Sequence, residues 1–200
     1  MSATPHVILA SGSPRRRAIL ASAGVAFVVA APDIDDALVR VPSSDPSRMV
    51  MALAWFKARQ VARSADAWPA GPRWVLAADT MCFRGAEPVG KPADERDARA
   101  MLGSFEGGSH QVVTGVCLLD RAEGRRHLLS DSARVTVGRI GAAELDAYLA
   151  SGEWRGKAGA YNYADRASAG WPLACEGDPE TVMGLPSRLV LPIIGRRGAA

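Results

Sequence analysis

The sequence predicts an α/β fold, in which short buried strands alternate with helices. Two apolar runs, residues 6–10 and residues 74–78, have the length of buried strands, and polar residues follow each of them directly. Between these runs, residues 46–64 carry apolar side chains at the spacing of a helix. Open α/β sheets place their chemistry at the carboxyl ends of their strands, so we expect functional side chains there.

The first strand leads into a Ser-Gly-Ser turn and then a helix over residues 14–23, with Pro14 at its first position. Three arginines, residues 15–17, fill the first turn of this helix, although the helix dipole is positive there. Free backbone N–H groups and guanidinium groups together suit a multiply charged anion such as phosphate. The segment therefore predicts a phosphate site. A helix capped by Ser13 with solvent-exposed arginines is the alternative.

The remaining elements are predicted from apolar periodicity and from the turn residues that separate them. The last two predicted strands, joined by a polar turn, form a β-hairpin. No segment is long enough to serve as a linker, so we expect one domain over residues 1–200. Strands are predicted at residues 26–30, 110–119 and 128–137, helices at residues 94–103 and 141–151, a short hairpin at residues 81–92, a glycine-rich loop at residues 152–160, and a turn at residues 182–186 before a last helical or irregular segment.

Composition narrows the class of protein. The chain has 200 residues, of which 48% are hydrophobic and 22% charged, as in ordinary globular enzymes. Its formal net charge of +3 is too small to argue for nucleic-acid binding. No apolar run approaches the ~20 residues that span a bilayer, and no signal peptide is evident. Three widely spaced cysteines predict neither a disulfide framework nor a metal site, and we expect a cytoplasmic protein without membrane or nucleic-acid partners.

A candidate carboxylate and two candidate lysines add to the phosphate site. Asp79 follows the strand at residues 74–78, where it could bind Mg²⁺ or activate water; a plain turn aspartate is the alternative. Lys57 lies on a mostly apolar helix, and Lys91 is confined between glycine and proline. Each could face inward, although a surface lysine is the common case.

An acidic turn at Asp33, Asp35 and Asp36 could supply further metal ligands, or it could simply be solvated. Arginines, lysines and carboxylates together are what hydrolysis of a nucleoside triphosphate requires. The cations neutralise the phosphates, the carboxylates hold a metal ion, and one carboxylate orients the attacking water.

The order of these motifs resembles the Maf family of nucleoside triphosphate pyrophosphatases. Each motif alone is weak, but the ordered set covers nearly the whole chain. The matching stretches are Leu9-Ala10-Ser11-Gly12-Ser13-Pro14-Arg15-Arg16, Lys57-Ala58, Ala78-Asp79-Thr80, Gly90-Lys91-Pro92, residues 98–102, Val113-Thr114-Gly115, Lys157-Ala158-Gly159-Ala160-Tyr161 and Met183-Gly184-Leu185-Pro186.

The resemblance implies a mixed, twisted sheet flanked by helices, with two lobes and a central cleft, similar to the house-cleaning enzymes that hydrolyse non-standard purine triphosphates. It implies cleavage of a nucleoside triphosphate to a monophosphate and pyrophosphate with a divalent cation, Mg²⁺ or Mn²⁺, and it allows a homodimer. The roles it implies are phosphate binding by Ser11, Ser13, Arg15 and Arg16, assistance by Lys57 and Lys91, proton acceptance by Asp79, and help with metal or water by Asp36 and Asp79.

The substrate stays open between two branches of the family. One branch acts on dTTP, UTP and related pyrimidine nucleotides, and Arg15 and Thr80 fit it. The other acts on 7-methyl-GTP, and residues 177–181 look more like that branch. Ala164 stands where the pyrimidine branch has glutamine, and alanine has no amide to contact a base. We expect the pyrimidine branch.

Two functions of other classes are alternatives to the enzyme. The Maf family is linked to inhibition of septum formation, so a nucleotide-binding regulator of cell division without turnover is an alternative. Such a regulator would need the arginines but not Asp79, which favours the enzyme. Five tryptophans could suggest stacking on nucleic acid, but they do not alternate with a basic stripe, and packing explains them better.

Overall fold

The computed structural model describes residues 4–34, 41, 43–64 and 71–195. In these ranges seven strands and seven α-helices form an open α/β structure, as predicted. None of those helices has the length and apolar character needed to cross a membrane. The strands are β1 (Val7–Leu9), β2 (Phe27–Val29), β3 (Trp74–Arg84), β4 (Glu87–Val89), β5 (Gly108–Asp120), β6 (Arg126–Val137) and β7 (Leu173–Glu176). The helices are α1 (Pro14–Ser22), α2 (Pro46–Ser64), α3 (Glu95–Gly103), α4 (Ala142–Ser151), α5 (Tyr163–Ser168), α6 (Pro179–Met183) and α7 (Ser187–Ile194).

The sheet is mixed, as the resemblance implied. Its strand order is β2-β1-β3-β5-β6-β7, and β4 pairs with β3. β1 lies parallel to both of its neighbours, with Ile8 opposite Val28 and Val75. β4 is antiparallel to β3, and β7 is antiparallel to β6. The parallel part carries the first strand–turn–helix segment.

The chain divides into two compact units, each with its own apolar core. The first comprises Met1–Thr80, Thr114–Asp131 and Gly184–Ala200, and the second comprises Met81–Val113 and Ser132–Met183. The expectation of one domain over residues 1–200 stays a prediction. Core residues of the first unit include Ile8, Ala54, Ala58, Val75, Ala77 and Cys117. Those of the second include Leu102, Phe105, Val135, Tyr148, Trp154 and Trp171.

Side-chain hydrogen bonds cap the starts of α1 and α2. The hydroxyl oxygen of Ser13 accepts a hydrogen bond from the backbone N–H of Arg16 at 3.5 Å, with Pro14 at the first helical position of α1. The carboxylate of Asp45 accepts one from the N–H of Ser47 at 2.9 Å, just ahead of α2. Capping fixes where each helix starts, and so fixes which side chains its first turn presents.

Helix α2 lies unusually close to β5. A Cβ atom built on Gly115 would stand 2.4 Å from the carbonyl carbon of Val50 and 2.5 Å from the backbone nitrogen of Met51. Only glycine permits this approach. The contact holds α2, with Lys57 one to two turns further along, against the sheet.

Several predicted boundaries were wrong. β3 does not stop at Asp79 but continues to Arg84, so Asp79 lies within a strand of 11 residues. The cause is continued pairing, since β4 extends the ladder with Cys82 opposite Val89. β7, α5 and α6 were not predicted, and the glycine-rich loop contains a 3₁₀ turn, Ala158–Ala160.

The three cysteines are free thiols. Cys82 and Cys117 are buried and Cys175 is half-buried. Burial raises the pKa of both Cys82 and Cys117 to about 12. They form neither a disulfide nor a cluster with other metal-binding side chains in the part of the chain that the structure describes.

Candidate active site

Arg16 turns inward from the first turn of α1 and is held by three segments of the first unit. Its Nε donates to the carbonyl oxygen of Gly184 at 2.8 Å, its Nη1 to the hydroxyl of Ser11 at 3.2 Å and its Nη2 to the hydroxyl of Thr80 at 3.1 Å. These acceptors come from the end of β1, from β3 and from the segment before α7. The half-buried guanidinium therefore has a fixed plane.

The Ser-Gly-Ser turn is stabilised by its own hydroxyls. The N–H of Ser13 donates to the hydroxyl oxygen of Ser11 at 3.2 Å, so Ser11 contacts both the turn and Arg16. Arg15 is exposed on the first turn of α1, and Arg17 is exposed with its Nη2 3.4 Å from the carbonyl oxygen of Gly12. Of the three arginines, Arg16 alone is half-buried.

Lys57 and Asp79 form a buried ion pair. The ammonium nitrogen of Lys57, on α2, lies 2.6 Å from Oδ1 of Asp79, on β3, with the two side chains 11% and 9% exposed. The two opposite charges compensate each other in a place that water reaches poorly. The inward placement proposed for Lys57 is thus observed. Asp79 also precedes Thr80, so neighbouring positions of β3 contact Lys57 and Arg16.

Thr114 is a further polar residue of this region, and no role was predicted for it. It is fully buried on β5, and its hydroxyl lies 2.9 Å from the hydroxyl of Thr80. Its sequence signals are a hydroxyl inside the apolar run of β5 and its place in the matching stretch Val113-Thr114-Gly115. Gly184, whose carbonyl holds Arg16, was likewise only part of a matching motif.

Two predicted site residues belong to the second unit. Lys91 is exposed after β4, and the preceding carbonyl, of Gly90, accepts the N–H of Gly159 at 3.0 Å. Ala164 is half-buried in α5. The roles predicted for both stay predictions. Asp35 and Asp36, predicted to assist with metal or water, lie outside the described residues, and Asp33 is exposed.

His110 is buried in the second unit and is uncharged near neutral pH. Its ring stacks on Phe105 with centroids 4.3 Å apart, and its Nε2 lies 3.1 Å from the hydroxyl of Tyr161. Its Nδ1 has no hydrogen-bond partner among the described residues. Burial lowers the pKa of His110 to about 4. These contacts give it a packing role.

The described residues contain no group of three or more His, Cys, Asp or Glu side chains that could enclose a metal ion. Asp79 offers one carboxylate on β3, next in the chain to Thr80, whose hydroxyl binds Arg16. Mg²⁺ in phosphate-transfer sites commonly binds one or two carboxylates and takes its other ligands from substrate phosphates and water. The donor set therefore fits a cation that binds together with a nucleotide.

The chain is similar in sequence to known proteins over almost its full length. The profile of the family described as Maf-like protein matches residues 6–196. A protein of Syntrophotalea carbinolica named dTTP/UTP pyrophosphatase is 38% identical over 193 residues, covering 96% of this chain and 85% of the relative. Proteins of the same name from Sphingopyxis alaskensis (40% identical; 96% of this chain, 97% of the relative) and Cupriavidus metallidurans (41%; 92% of each) are similar. With its inward arginine, its buried lysine–aspartate pair and this match over almost its full length, the chain belongs to the Maf-like protein family.

Proposed function

We propose that this protein is a nucleoside triphosphate pyrophosphatase that converts dTTP, UTP and modified pyrimidine nucleotides to monophosphates and pyrophosphate. The observation that carries the proposal is the buried pair of Lys57 and Asp79, one position along β3 from the hydroxyl that holds Arg16. One compact unit thus holds a carboxylate and two cations. Membership of the family and the names of the relatives support the same reaction.

In the proposed reaction, water attacks the α-phosphorus of the nucleotide. The bond from the α-phosphorus to the oxygen that bridges to the β-phosphorus breaks, and pyrophosphate leaves with the electron pair. Asp79 accepts the proton of the water, and Lys57 holds that carboxylate in place at 2.6 Å. Arg16 and Arg15, with the hydroxyls of Ser11 and Ser13, bind the phosphate oxygens.

A divalent cation, Mg²⁺ or Mn²⁺, would be held by Asp79 together with the phosphates. When bound, it neutralises charge that develops on the phosphate oxygens. The described residues contain no group of three or more His, Cys, Asp or Glu side chains that could hold this cation, and the help predicted from Asp36 stays a prediction.

Preference for pyrimidines follows from Arg15 and Thr80, which match that branch of the family, and from the names of the relatives. Ala164 is then a substitution that the branch tolerates. Lys91 is proposed to assist at the phosphates. Free cysteines suit a reducing compartment, which supports a cytoplasmic location. The homodimer stays a prediction that the mass of the protein in solution would test.

Release of pyrophosphate with Mg²⁺ or Mn²⁺ tests the proposal, using dTTP, UTP, CTP, GTP, ITP, 7-methyl-GTP and modified pyrimidine triphosphates. We expect dTTP and UTP to be turned over selectively. A preference for 7-methyl-GTP would reject the pyrimidine assignment, and binding without turnover of any nucleotide would favour a regulator of cell division.

Asp79→Asn tests the proton acceptor. We expect turnover to fall at least 100-fold, because the amide cannot accept the proton, while nucleotide binding persists. The matched control is Asp146→Asn, which removes an exposed carboxylate that pairs with Arg99 on the surface. A near-normal rate in Asp79→Asn, measured on protein shown to be folded, would remove Asp79 from this role.

A further inference from the structure

We propose that Thr114 and Gly184 are positioning residues that fix the guanidinium of Arg16 in the plane from which it binds the triphosphate. The inference rests on the proposed function, since it assumes that Arg16 meets phosphate. Neither residue needs to touch the nucleotide, because each acts through Arg16.

Thr114 acts through the hydroxyl of Thr80. Arginine only donates hydrogen bonds, so the oxygen of Thr80 must accept from Nη2 of Arg16 at 3.1 Å. The same oxygen lies 2.9 Å from the hydroxyl of Thr114, which is fully buried. Whichever hydroxyl donates in that pair, the contact restricts rotation of the Thr80 hydroxyl and keeps a lone pair towards Arg16. Without Thr114, the half-buried hydroxyl of Thr80 would lose this partner.

Gly184 positions Arg16 in two ways: its carbonyl binds the guanidinium, and its lack of a side chain leaves room for it. Its carbonyl oxygen accepts from Nε of Arg16 at 2.8 Å, the shortest of the three side-chain bonds of that arginine given above. Its φ is +99°, which disfavours any residue with a side chain. A Cβ at this position would stand 3.0 Å from the hydroxyl oxygen of Thr80 and 3.3 Å from Nε of Arg16. A side chain at position 184 would therefore crowd the hydroxyl of Thr80 and the guanidinium of Arg16.

The first test is a double-mutant cycle on binding of α,β-imido-dTTP with Mg²⁺, measured by calorimetry. We expect Thr114→Val to weaken binding about 10-fold and Thr114→Ser, which keeps the hydroxyl, to stay within about 2-fold. In the background of Arg16→Ala, Thr114→Val should have no further effect. An equal loss in both backgrounds, or a fall in melting temperature with unchanged affinity, would overturn the proposal. If the valine variant does not fold, Thr114→Ala takes its place.

Gly184→Ala has a matched control in Gly170→Ala. Gly170 has a similar φ of +91°, but a Cβ there meets nothing within 4 Å. Both substitutions strain the backbone, but only the alanine at position 184 would crowd Arg16. We expect Gly184→Ala to weaken nucleotide binding about 10-fold or more and Gly170→Ala to leave it unchanged. Equal binding in the two variants would contradict the role given to Gly184.

A measurement without nucleotide separates this proposal from the proposed function. The exchange of the Nε–H proton of Arg16 with water, followed by ¹⁵N NMR and assigned with Arg16→Lys, reports how firmly the guanidinium is held. We expect about 10-fold faster exchange in Thr114→Val and a wild-type rate in Thr114→Ser. A wild-type protein that neither binds nor hydrolyses dTTP or UTP would refute the function alone, whereas an unchanged exchange rate in Thr114→Val would refute the positioning.

Discussion

At the scale of single residues, the charges of Lys57 and Asp79 compensate each other where little water reaches them. Removing the cation leaves a buried carboxylate without this partner, which is far more costly than losing a surface ion pair. We expect Lys57→Met, which keeps the length of the side chain, to lower the free energy of unfolding by about 3 kcal/mol, measured with urea near pH 7.

Lys91→Met is the control for that measurement. Lys91 is exposed, so its replacement should change the free energy of unfolding by no more than about 0.5 kcal/mol. Equal losses of stability in the two variants would mean that the pair with Asp79 contributes no more than an exposed lysine does.

His110 makes stability depend on pH. Its pKa is about 4 in the folded protein, against an ordinary value of 6.5, because burial disfavours the imidazolium. As the pH falls below 6.5, the unfolded chain takes up this proton first and is stabilised relative to the folded protein. The resulting loss in the free energy of unfolding grows until the pH reaches the pKa of His110 in the folded protein, near 4, and totals on the order of 3 kcal/mol.

His110→Phe isolates this effect, because phenylalanine can stack on Phe105 but does not titrate. We expect the wild type to lose more stability than His110→Phe between pH 7.5 and pH 4.5 in urea unfolding. Parallel losses in the two proteins would mean that other groups cause the pH dependence.

Residues with a local signal were predicted, and those defined by distant contacts were not. Asp79 and Lys57 place a charge in apolar surroundings, so both could be singled out, whereas Thr114 and Gly184 carry no charge. Thr114 and Gly184 matter because of contacts with residues 34 and 168 positions away along the chain. No spacing rule within one segment encodes such contacts.

At the scale of elements, the approach of α2 to β5 depends on Gly115. A Cβ there would meet backbone atoms of Val50 and Met51 at 2.4–2.5 Å, and backbone cannot rotate out of the way. We expect Gly115→Ala to cost about 3 kcal/mol of unfolding free energy and to disturb the pair of Lys57 and Asp79, because the whole helix must shift.

Gly108→Ala, in the same strand, is the control. A Cβ at Gly108 would lie 3.5 Å from the nearest atom, the carbonyl oxygen of Phe105, which is ordinary contact. The free energies of unfolding of the two variants, measured with urea, should therefore differ by about 2 kcal/mol. A mild effect of Gly115→Ala would mean that α2 moves away at little cost.

Element boundaries were predicted well where a cap or a glycine marks them and poorly where a polar pair interrupts a strand. α2 spans Pro46–Ser64, as the sequence predicted. The polar pair at positions 79 and 80 was taken for the end of β3, although pairing with β4 carries the strand to Arg84. β7 has four residues of alternating half-buried and exposed character, which is too little periodicity to recognise.

At the scale of the whole molecule, a nucleotide that binds only the folded protein must stabilise it. At a concentration 100 times its Kd for the wild type, α,β-imido-dTTP with Mg²⁺ should add about 2.7 kcal/mol to the free energy of unfolding of the wild type. At that same concentration, we expect a smaller rise in melting temperature in Arg16→Ala than in the wild type. An equal rise in both proteins would mean that Arg16 contributes nothing to binding.

The fold class could be predicted from alternating strands and helices, whereas the strand order could not. The order β2-β1-β3-β5-β6-β7 depends on which strands pair across long separations in the chain. The mixed character of the sheet was expected from the resemblance to a family, which carries information that a single sequence lacks. Local patterns thus predicted most of the elements, and the resemblance predicted that the sheet is mixed.

Burial makes two of the three thiols unreactive towards oxidants and alkylating agents. A pKa of about 12 at Cys82 and Cys117 leaves about one thiolate in 10⁵ at pH 7, and oxidants and alkylating agents react with the thiolate. Cys175 is half-buried and is the most accessible of the three. A thiol-reactive dye should attach there first, giving the native enzyme a single labelling position without any engineered cysteine.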